Sequence, residues 1–370
     1  MLKQFGALYI ILGTCIAAGL LGLPIVTATN HYSLTVMMVL SAWAIMTLGA
    51  WCLLQVNLWF APQSNLITMS EATLGGVAKW LTWGIYLLLL YSLICAYLAA
   101  SGDVVQALVR GATHCLLPRW LATIIAACGI GYVVFRGIRS VDLVNRFLMS
   151  IKLAICCLLI LFVAPHVKLS QLQQGEWLWS GAQWLVIVCA FGYAIILPSI
   201  RVYLDSDRKA LTRVIMIGSC LPLLIYLAWI AVIQGALPHT GPDGLLAMNH
   251  SAHTNSLLMS RLVLLTHQPV LKTISVVFVS ICALTGLLGV SLSLLDFLAD
   301  GLQWEKTHIN RIKLMLLTMG PSLVVILYQP KLFITALAWA GFFCLYILVG
   351  LPIMMYLVGR RTYKDSASAG

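Results

Sequence analysis

The sequence predicts an all-α polytopic membrane protein of about ten transmembrane helices, built as two inverted sets of five with the first and sixth helices discontinuous. Three observations predict it. Of the 370 residues, 61% are hydrophobic and only 9% charged, whereas a soluble domain carries about 25% charged residues. Ten apolar runs of bilayer-crossing length follow one another along the chain. The first and the sixth of these runs are interrupted by Gly and Pro at corresponding places in the two halves.

Span one, near 5–28, contains Gly13-Thr14-Cys15-Ile16-Ala17-Ala18-Gly19-Leu20-Leu21-Gly22-Leu23-Pro24. Gly and Pro weaken a helix, and in lipid each unpartnered peptide group costs several kcal/mol. The break therefore faces protein or a water-filled cavity. Small residues at 13, 14, 17, 18 and 19 leave room for a ligand at the bared backbone; they equally suit close helix packing. The run is too long for a secretory leader, with only Lys3 ahead of it, and is read as a span. Spans two to five fall near 33–60, 77–109, 117–135 and 141–164. Span six, near 182–200, is interrupted at Phe191-Gly192-Tyr193 and again by Pro198. Spans seven to ten fall near 210–236, 269–301, 310–328 and 332–358.

In each set the third run is unusually long and a shorter fourth follows. Five is odd, so the second set must cross the membrane upside down relative to the first. Residues 1–164 form the first five-helix repeat, 165–181 an outer connection, 182–358 the second, inverted repeat and 359–370 a cytoplasmic tail. Paired breaks in inverted halves point to a midplane substrate site.

With the N-terminus inside, fifteen of the 22 Lys and Arg fall on the cytoplasmic side and six outside, with Lys152 within span five. Both termini are therefore expected in the cytoplasm. The net charge of +11 is mostly this bias, which calls for anionic lipid headgroups as partners and not for nucleic acid. The 11 cysteines mostly sit inside apolar runs and give no disulfide framework; Cys115 is the obvious loop thiol. The segment 238–268 carries His239, His250, His253 and His267 without an H-x-x-x-H pair. It is read as an exposed connection holding no metal.

Residues 13–24 resemble the G-T-x-I-G-A-G-x-L-x-L-P signature of the hydroxy and aromatic amino acid permease family, whose members carry tyrosine, tryptophan or serine and threonine. The resemblance continues through Val141 to Lys152, through Phe191-Gly192-Tyr193 with Leu197-Pro198-Ser199-Ile200, and through Leu294 to Asp300. It implies a leucine-transporter-type fold of five plus five inverted repeats and proton-driven uptake at a bacterial inner membrane, with tyrosine the first substrate to consider. Two positions depart from the pattern: Ala17 replaces a Gly, which trims the pocket by a methyl, and no eleventh helix follows span ten.

An amino acid zwitterion needs donors for its carboxylate and acceptors for its ammonium. The donors are expected at the peptide N–H groups of Ala17, Ala18 and Gly19 and at the Thr14 hydroxyl. The acceptors are expected at carbonyls from Gly13 to Ile16 and from Phe191 through Gly192 to Tyr193. An aromatic substrate side chain would stack on Phe191, Tyr193 or Tyr97, worth about 0.5–1.5 kcal/mol beyond burial. By resemblance, aromatic residues of spans three and six form a thin outer gate; Tyr97 equally suits helix packing.

Lys152 lies about ten residues into span five, roughly 15 Å from its cytoplasmic end and too deep to snorkel. A charged Lys there costs about 2.5–3.5 kcal/mol on insertion scales, which makes it a candidate to load and lose a proton. By resemblance it is the coupling group, standing where sodium sits in sodium-coupled relatives and bonding span-one carbonyls near Gly13. A permanently charged strut between helices is the alternative.

Asp296 and Asp300, one turn apart near the inner end of span eight, are read as caps or partners of cytoplasmic basic residues, with proton carriage the alternative. Asp103, beside Ser101, is read as a vestibule residue or a solvated end charge, and Asp142, Asn145 and Arg146 as a clamp on the inner gate. Thr285, Ser291 and Ser293 are further candidates for the pocket lining. No H-E-x-x-H or Asp-rich motif marks an enzyme, and polarity gathered at two breaks and one lysine is unlike a channel lining. Carriers of tryptophan, phenylalanine, serine or threonine stay open as alternatives to tyrosine, as does an amino acid sensor. No cofactor beyond the coupling proton is expected, and nothing in the sequence sets an oligomeric state.

Overall fold

The computed structural model describes residues 2–62, 64–113, 115–136, 138–242, 244–249, 251, 254–266, 268–302 and 308–363. Among the described residues the ordered elements are helices, with a single parallel bridge between Asn30 and Glu176. The first span is a bent pair, α1 (Leu2–Cys15) and α2 (Ala18–Val26), meeting at 50°. Span two is α3 (Tyr32–Trp59), and a short α4 (Leu66–Leu74) leads into span three, α5 (Gly76–Thr113). Spans four and five are α6 (Arg119–Arg136) and α7 (Ile138–Val163). After the small α8 (Leu169–Leu172), span six is α9 (Gly181–Ala190), a 3₁₀ segment Gly192–Ile196 and α10 (Leu197–Tyr203). Span seven is α11 (Arg208–Ala236), followed by α12 (Leu245–Asn249) and α13 (Thr254–Thr266). Spans eight and nine are α14 (Pro269–Leu302) and α15 (His308–Tyr328). Span ten is α16 (Phe333–Leu345), a π-helical turn Tyr346–Gly350 and α17 (Leu351–Tyr363).

Among the described residues, eight helical stretches are long and apolar enough to cross a membrane; the bent α1–α2 pair makes nine, and Arg119–Phe135 is a shorter apolar helix between two full spans. The chain is thus a multi-pass membrane protein, and its first and sixth spans are discontinuous, the first at Ile16–Ala17 between Gly13 and Gly19 and the sixth at Phe191 and Gly192. The breaks have different causes. Ala17 is extended (φ −132, ψ −157) and lets α2 restart in a new direction. In span six the chain tightens to 3₁₀ turns after Phe191, and Pro198 sits in the first turn of α10, where it has no intrahelical N–H to lose.

Span ten packs against spans two, three and six. A Cβ on Gly341 would stand 1.8 Å from the Leu185 carbonyl oxygen, so only glycine permits this approach of α16 to α9. Between spans two and six, the buried Arg201 at the end of α10 donates to the Asn57 and Phe60 carbonyls, closing the C-terminus of α3.

Two sequence expectations are corrected here. Segment 238–268 is no exposed connection: α12 and α13 pack on α2, α5, α7 and α14, with Leu245, Met248, Leu258 and Leu262 buried. These residues, together with the buried Thr254 and Asn255, cover the ends of the spans. His239 is buried in hydrogen-bonding contact with the Ala28 carbonyl at 2.8 Å; His250, His253 and His267 lie outside the described residues. Nor is Asp103 solvated: its carboxylate accepts from the Ser256 N–H at 3.0 Å and hydroxyl at 2.7 Å, capping α13 from span three.

Candidate functional site

A cavity of about 380 Å³ lies where the two broken spans meet spans three, five, eight and ten. Its size suits a small organic ligand, at the low end of the usual range for such sites. The walls include Gly13, Thr14 and Ala17 from span one, Tyr97 from span three, Gly192 and Ile195 from span six, and Thr285, Gly286 and Ser293 from span eight. Counting crossings from the N-terminus, Tyr9, Ile10, Ile195 and Ser293 belong to the halves of their spans nearer the N-terminal side, and Ile10 and Ser293 are exposed there. Towards the opposite side Leu20, Leu21, Ile187 and Phe278 are fully buried, and α12–α13 lie beyond. The cavity therefore opens on the side that carries the N-terminus.

The first break supplies peptide groups without side-chain charge. Ala17 caps α2 without a side-chain bond, and the first N–H groups of a helix have no intrahelical acceptor. They carry the positive end of the α2 dipole. The expected donor set shrinks by two, because the Ala17 N–H already donates to the Cys15 carbonyl at 2.9 Å and the Thr14 hydroxyl proton is also taken. Backbone amides of Ala18 and Gly19 remain; the Ala18 side chain is outside the described residues. Gly19 packs against Ala190, where a Cβ would stand 3.5 Å from that methyl. The Thr14 hydroxyl donates back to the Ile10 carbonyl at 2.9 Å, which leaves its lone pairs as acceptors at the cavity wall.

Three aromatic residues expected to receive a substrate ring are divided by the structure. Tyr97 lines the cavity, lying so flat on span eight that a Cβ on Gly286 would meet its ring at 2.3 Å. Phe191 and Tyr193 are fully buried outside it: Phe191 packs edge-on to Tyr226, and the Tyr193 hydroxyl donates to Thr47 at 3.4 Å. Ile16 is likewise buried behind the break. Tyr9, not anticipated from the sequence, is the second aromatic of the cavity wall and donates its hydroxyl to Ser150 of span five.

Tyr226 on α11 was also not anticipated. Its buried hydroxyl lies 2.7 Å from the Cys15 carbonyl and 2.8 Å from the Ala190 carbonyl, the last turns before the two breaks. It has one proton for two acceptors, so it straps span one and span six to a shared donor. The only sequence signal was a single phenol in an otherwise aliphatic and tryptophan-bearing span.

Lys152 is buried on α7, with Nζ 3.4 Å from the Gly13 carbonyl and 3.4 Å from the Thr285 hydroxyl. The Thr285 proton goes to the Ile281 carbonyl at 2.7 Å, so its oxygen accepts from the ammonium. Lys152 thus joins spans one, five and eight from behind the cavity wall, and both these partners are neutral. One turn earlier Met149 fills the groove of Gly13, where a Cβ would stand 1.8 Å from its Cε. Thr285 and Ser293 line the cavity, while Ser291 is buried against Met319. The side chains of Asp142, Asn145 and Arg146 lie outside the described residues. Among the described residues no group of His, Cys, Asp and Glu is arranged to hold a metal ion.

Comparison with known proteins adds three findings. The family described as the tryptophan/tyrosine permease family matches residues 2–368. The tyrosine-specific transport system 1 of Haemophilus influenzae is 30% identical over 99% of this chain and 90% of its own length, and a tryptophan-specific transport protein of Pseudomonas aeruginosa is 27% identical over 97% and 87%. Among solved structures, the manganese transporter of Eremococcus coleocola, crystallised with an aromatic bis-isothiourea compound, superposes with a TM-score of 0.62 at 13% identity over 96% of this chain and 76% of that one. That likeness is one of fold.

Proposed function

The chain belongs to the tryptophan/tyrosine permease family, and we propose that it is a proton-coupled importer of aromatic amino acids, tyrosine first, working by alternating access. The carrier works in a bacterial inner membrane with both termini in the cytoplasm, as the Lys and Arg distribution argues. The cavity then faces the cytoplasm. The N–H groups that open α2 take the substrate carboxylate, carbonyls at the ends of α1 and α9 take the ammonium, and Tyr97 with Tyr9 borders the ring.

The observation that carries this reading is the placement of Lys152. Protonated, it makes charge-assisted bonds to the Gly13 carbonyl and the Thr285 hydroxyl and holds the broken span one against span eight. Neutral, it binds them more weakly and span one is released to move. The tyrosine- and tryptophan-specific relatives support the substrate class. In this reading the two five-helix halves act as the paired repeats, and the protein is a carrier without catalytic chemistry.

The test is uptake of labelled tyrosine into liposomes holding the purified protein, with an inward proton gradient imposed and then collapsed by an uncoupler. Accumulation that the uncoupler abolishes, competed by tryptophan and phenylalanine but not leucine, is the expected result. Folded protein that carries no tyrosine overturns the aromatic assignment and turns attention to serine or threonine and to Ala17.

A further inference from the structure

Spans six and ten run in the same direction through the membrane and touch where Gly341 admits the Leu185 carbonyl oxygen, 1.8 Å from where a Cβ would stand. One turn further along each helix, the same contact brings together Cys344, three residues after Gly341, and Cys189, four after Leu185. The two side chains are neighbours on the cavity wall. Both are free, and both line the cavity. The Cys344 sulfur lies 3.7 Å from where a Gly192 Cβ would stand, against the break of span six itself, and the π-helical turn of span ten begins two residues later. Neither thiol has a part in the binding of a zwitterion or in moving a proton, so the pair is unassigned chemistry on the wall of the cavity.

We propose that Cys189 and Cys344 form a two-thiol capture site for soft, thiophilic ligands of the trivalent arsenical class, and that filling it arrests the carrier. Thiol sulfur selects soft centres over hard ones. An arsenical R–As=O reacts with both thiols to give R–As(S–Cys)₂ and one water: two As–S bonds replace the As=O bond, both S–H protons leave in the water, and arsenic stays trivalent, so no oxidant is needed. The cavity gives the reagent a path from the side that carries the N-terminus. The resulting bridge ties α9 to α16 beside the break and places the organic group in the cavity. The other thiols are less apt. Cys156 and Cys157, though adjacent in sequence, sit one buried and one exposed on α7, and Cys15, Cys156 and Cys282 are buried outside the cavity lining.

The experiment treats the intact purified chain with phenylarsine oxide, alkylates the remaining thiols and maps the product by mass spectrometry. One phenylarsenic per chain, bridging the peptides that contain Cys189 and Cys344 and removed by dimercaptopropanol, is expected; this readout does not depend on which amino acid is carried. Cys189→Ala and Cys344→Ala are each expected to lose the bridged adduct. In proteoliposomes, uptake is compared with each variant's own untreated rate: reagent abolishes uptake by the unsubstituted chain and has no effect on either variant. A bridge mapped to other cysteines, or an adduct kept by both variants, overturns the site. A bridge on the expected pair with uptake unchanged overturns the arrest.

Discussion

Replacing Lys152 with alanine tests the coupling assignment against a number. Lys152 is 1% exposed, and its two partners, the Gly13 carbonyl and the Thr285 hydroxyl, carry no charge. One such group accounts for one proton per cycle. A pH difference of one unit is worth about 1.36 kcal/mol per proton, which is a tenfold ratio. With the membrane potential clamped at zero and the outside one unit more acidic, the unsubstituted carrier is therefore expected to accumulate tyrosine about tenfold at steady state. Lys152→Ala is expected to equilibrate tyrosine at a ratio of about one while still exchanging labelled for unlabelled substrate, because the lysine lies behind the wall and not on it. Loss of a long buried side chain also leaves a void, worth about 2–5 kcal/mol in cores. Lys152→Met separates the two effects, since it keeps most of the volume without the charge. Steady-state accumulation and counterflow in the same vesicles read the outcome. If either variant holds a tenfold gradient, the proton does not travel on this lysine; if Lys152→Met loses exchange as well, the residue acts in binding and not in coupling.

Tyr226→Phe keeps the edge-on contact with Phe191 and removes the single O–H shared by the Cys15 and Ala190 carbonyls. The Cys15 carbonyl keeps the Ala17 N–H, so the loss falls on the Ala190 carbonyl. A buried acceptor deprived of its donor costs about 1–3 kcal/mol, so a lower melting temperature and weaker tyrosine binding are expected, and normal values for both would mean that Tyr226 does not strap the two breaks. Gly286→Ala puts a methyl 2.3 Å from the Tyr97 ring and drives the ring into the cavity, so KM for tyrosine should rise; an unchanged KM means that Tyr97 does not border the substrate. Gly341→Ala puts a methyl against the Leu185 carbonyl, which backbone cannot yield, and overpacking of this kind costs about 1–3 kcal/mol. A drop in thermal stability in detergent is expected, and full stability would mean that α9 and α16 have room to part.

Membrane spans were legible because length and apolar run are imposed by the bilayer, and the two breaks because Gly and Pro have few other uses there. Lys152 was legible for the same reason: a cation in an apolar run stands out from the sequence alone. What the sequence hid were relations between distant segments. Phe191 and Tyr193 sit beside a break, yet they face away from the cavity, since a 3₁₀ turn rotates side chains differently from the α-helix it interrupts. Tyr226 and the Cys189–Cys344 pair owe their places to tertiary contacts that no local pattern records. Segment 238–268 misled because short helices of mixed polarity look like polar loop when set beside spans, and only their tertiary contacts show that they are buried.

The two breaks are also electrically unequal, and this bears on how a substrate would lie. In span six the 3₁₀ turns keep bonding across three residues, with the Phe191 N–H on the Val188 carbonyl and the Leu197 N–H on that of Ala194, so few peptide groups are freed. Span one frees more, because Ala17 is extended and α2 begins afresh. The positive end of a dipole is thus offered chiefly at α2, whereas two negative ends, those of α1 and α9, converge. Tyr226 stands where they meet, one neutral donor between the carbonyls of Cys15 and Ala190. A zwitterion that sets its carboxylate at α2 brings its ammonium towards that meeting point, where it adds the positive charge that the phenol lacks. Any loss of affinity in Tyr226→Phe should therefore be larger for amino acids than for the corresponding deaminated acids. Equal losses for both would place the ammonium elsewhere.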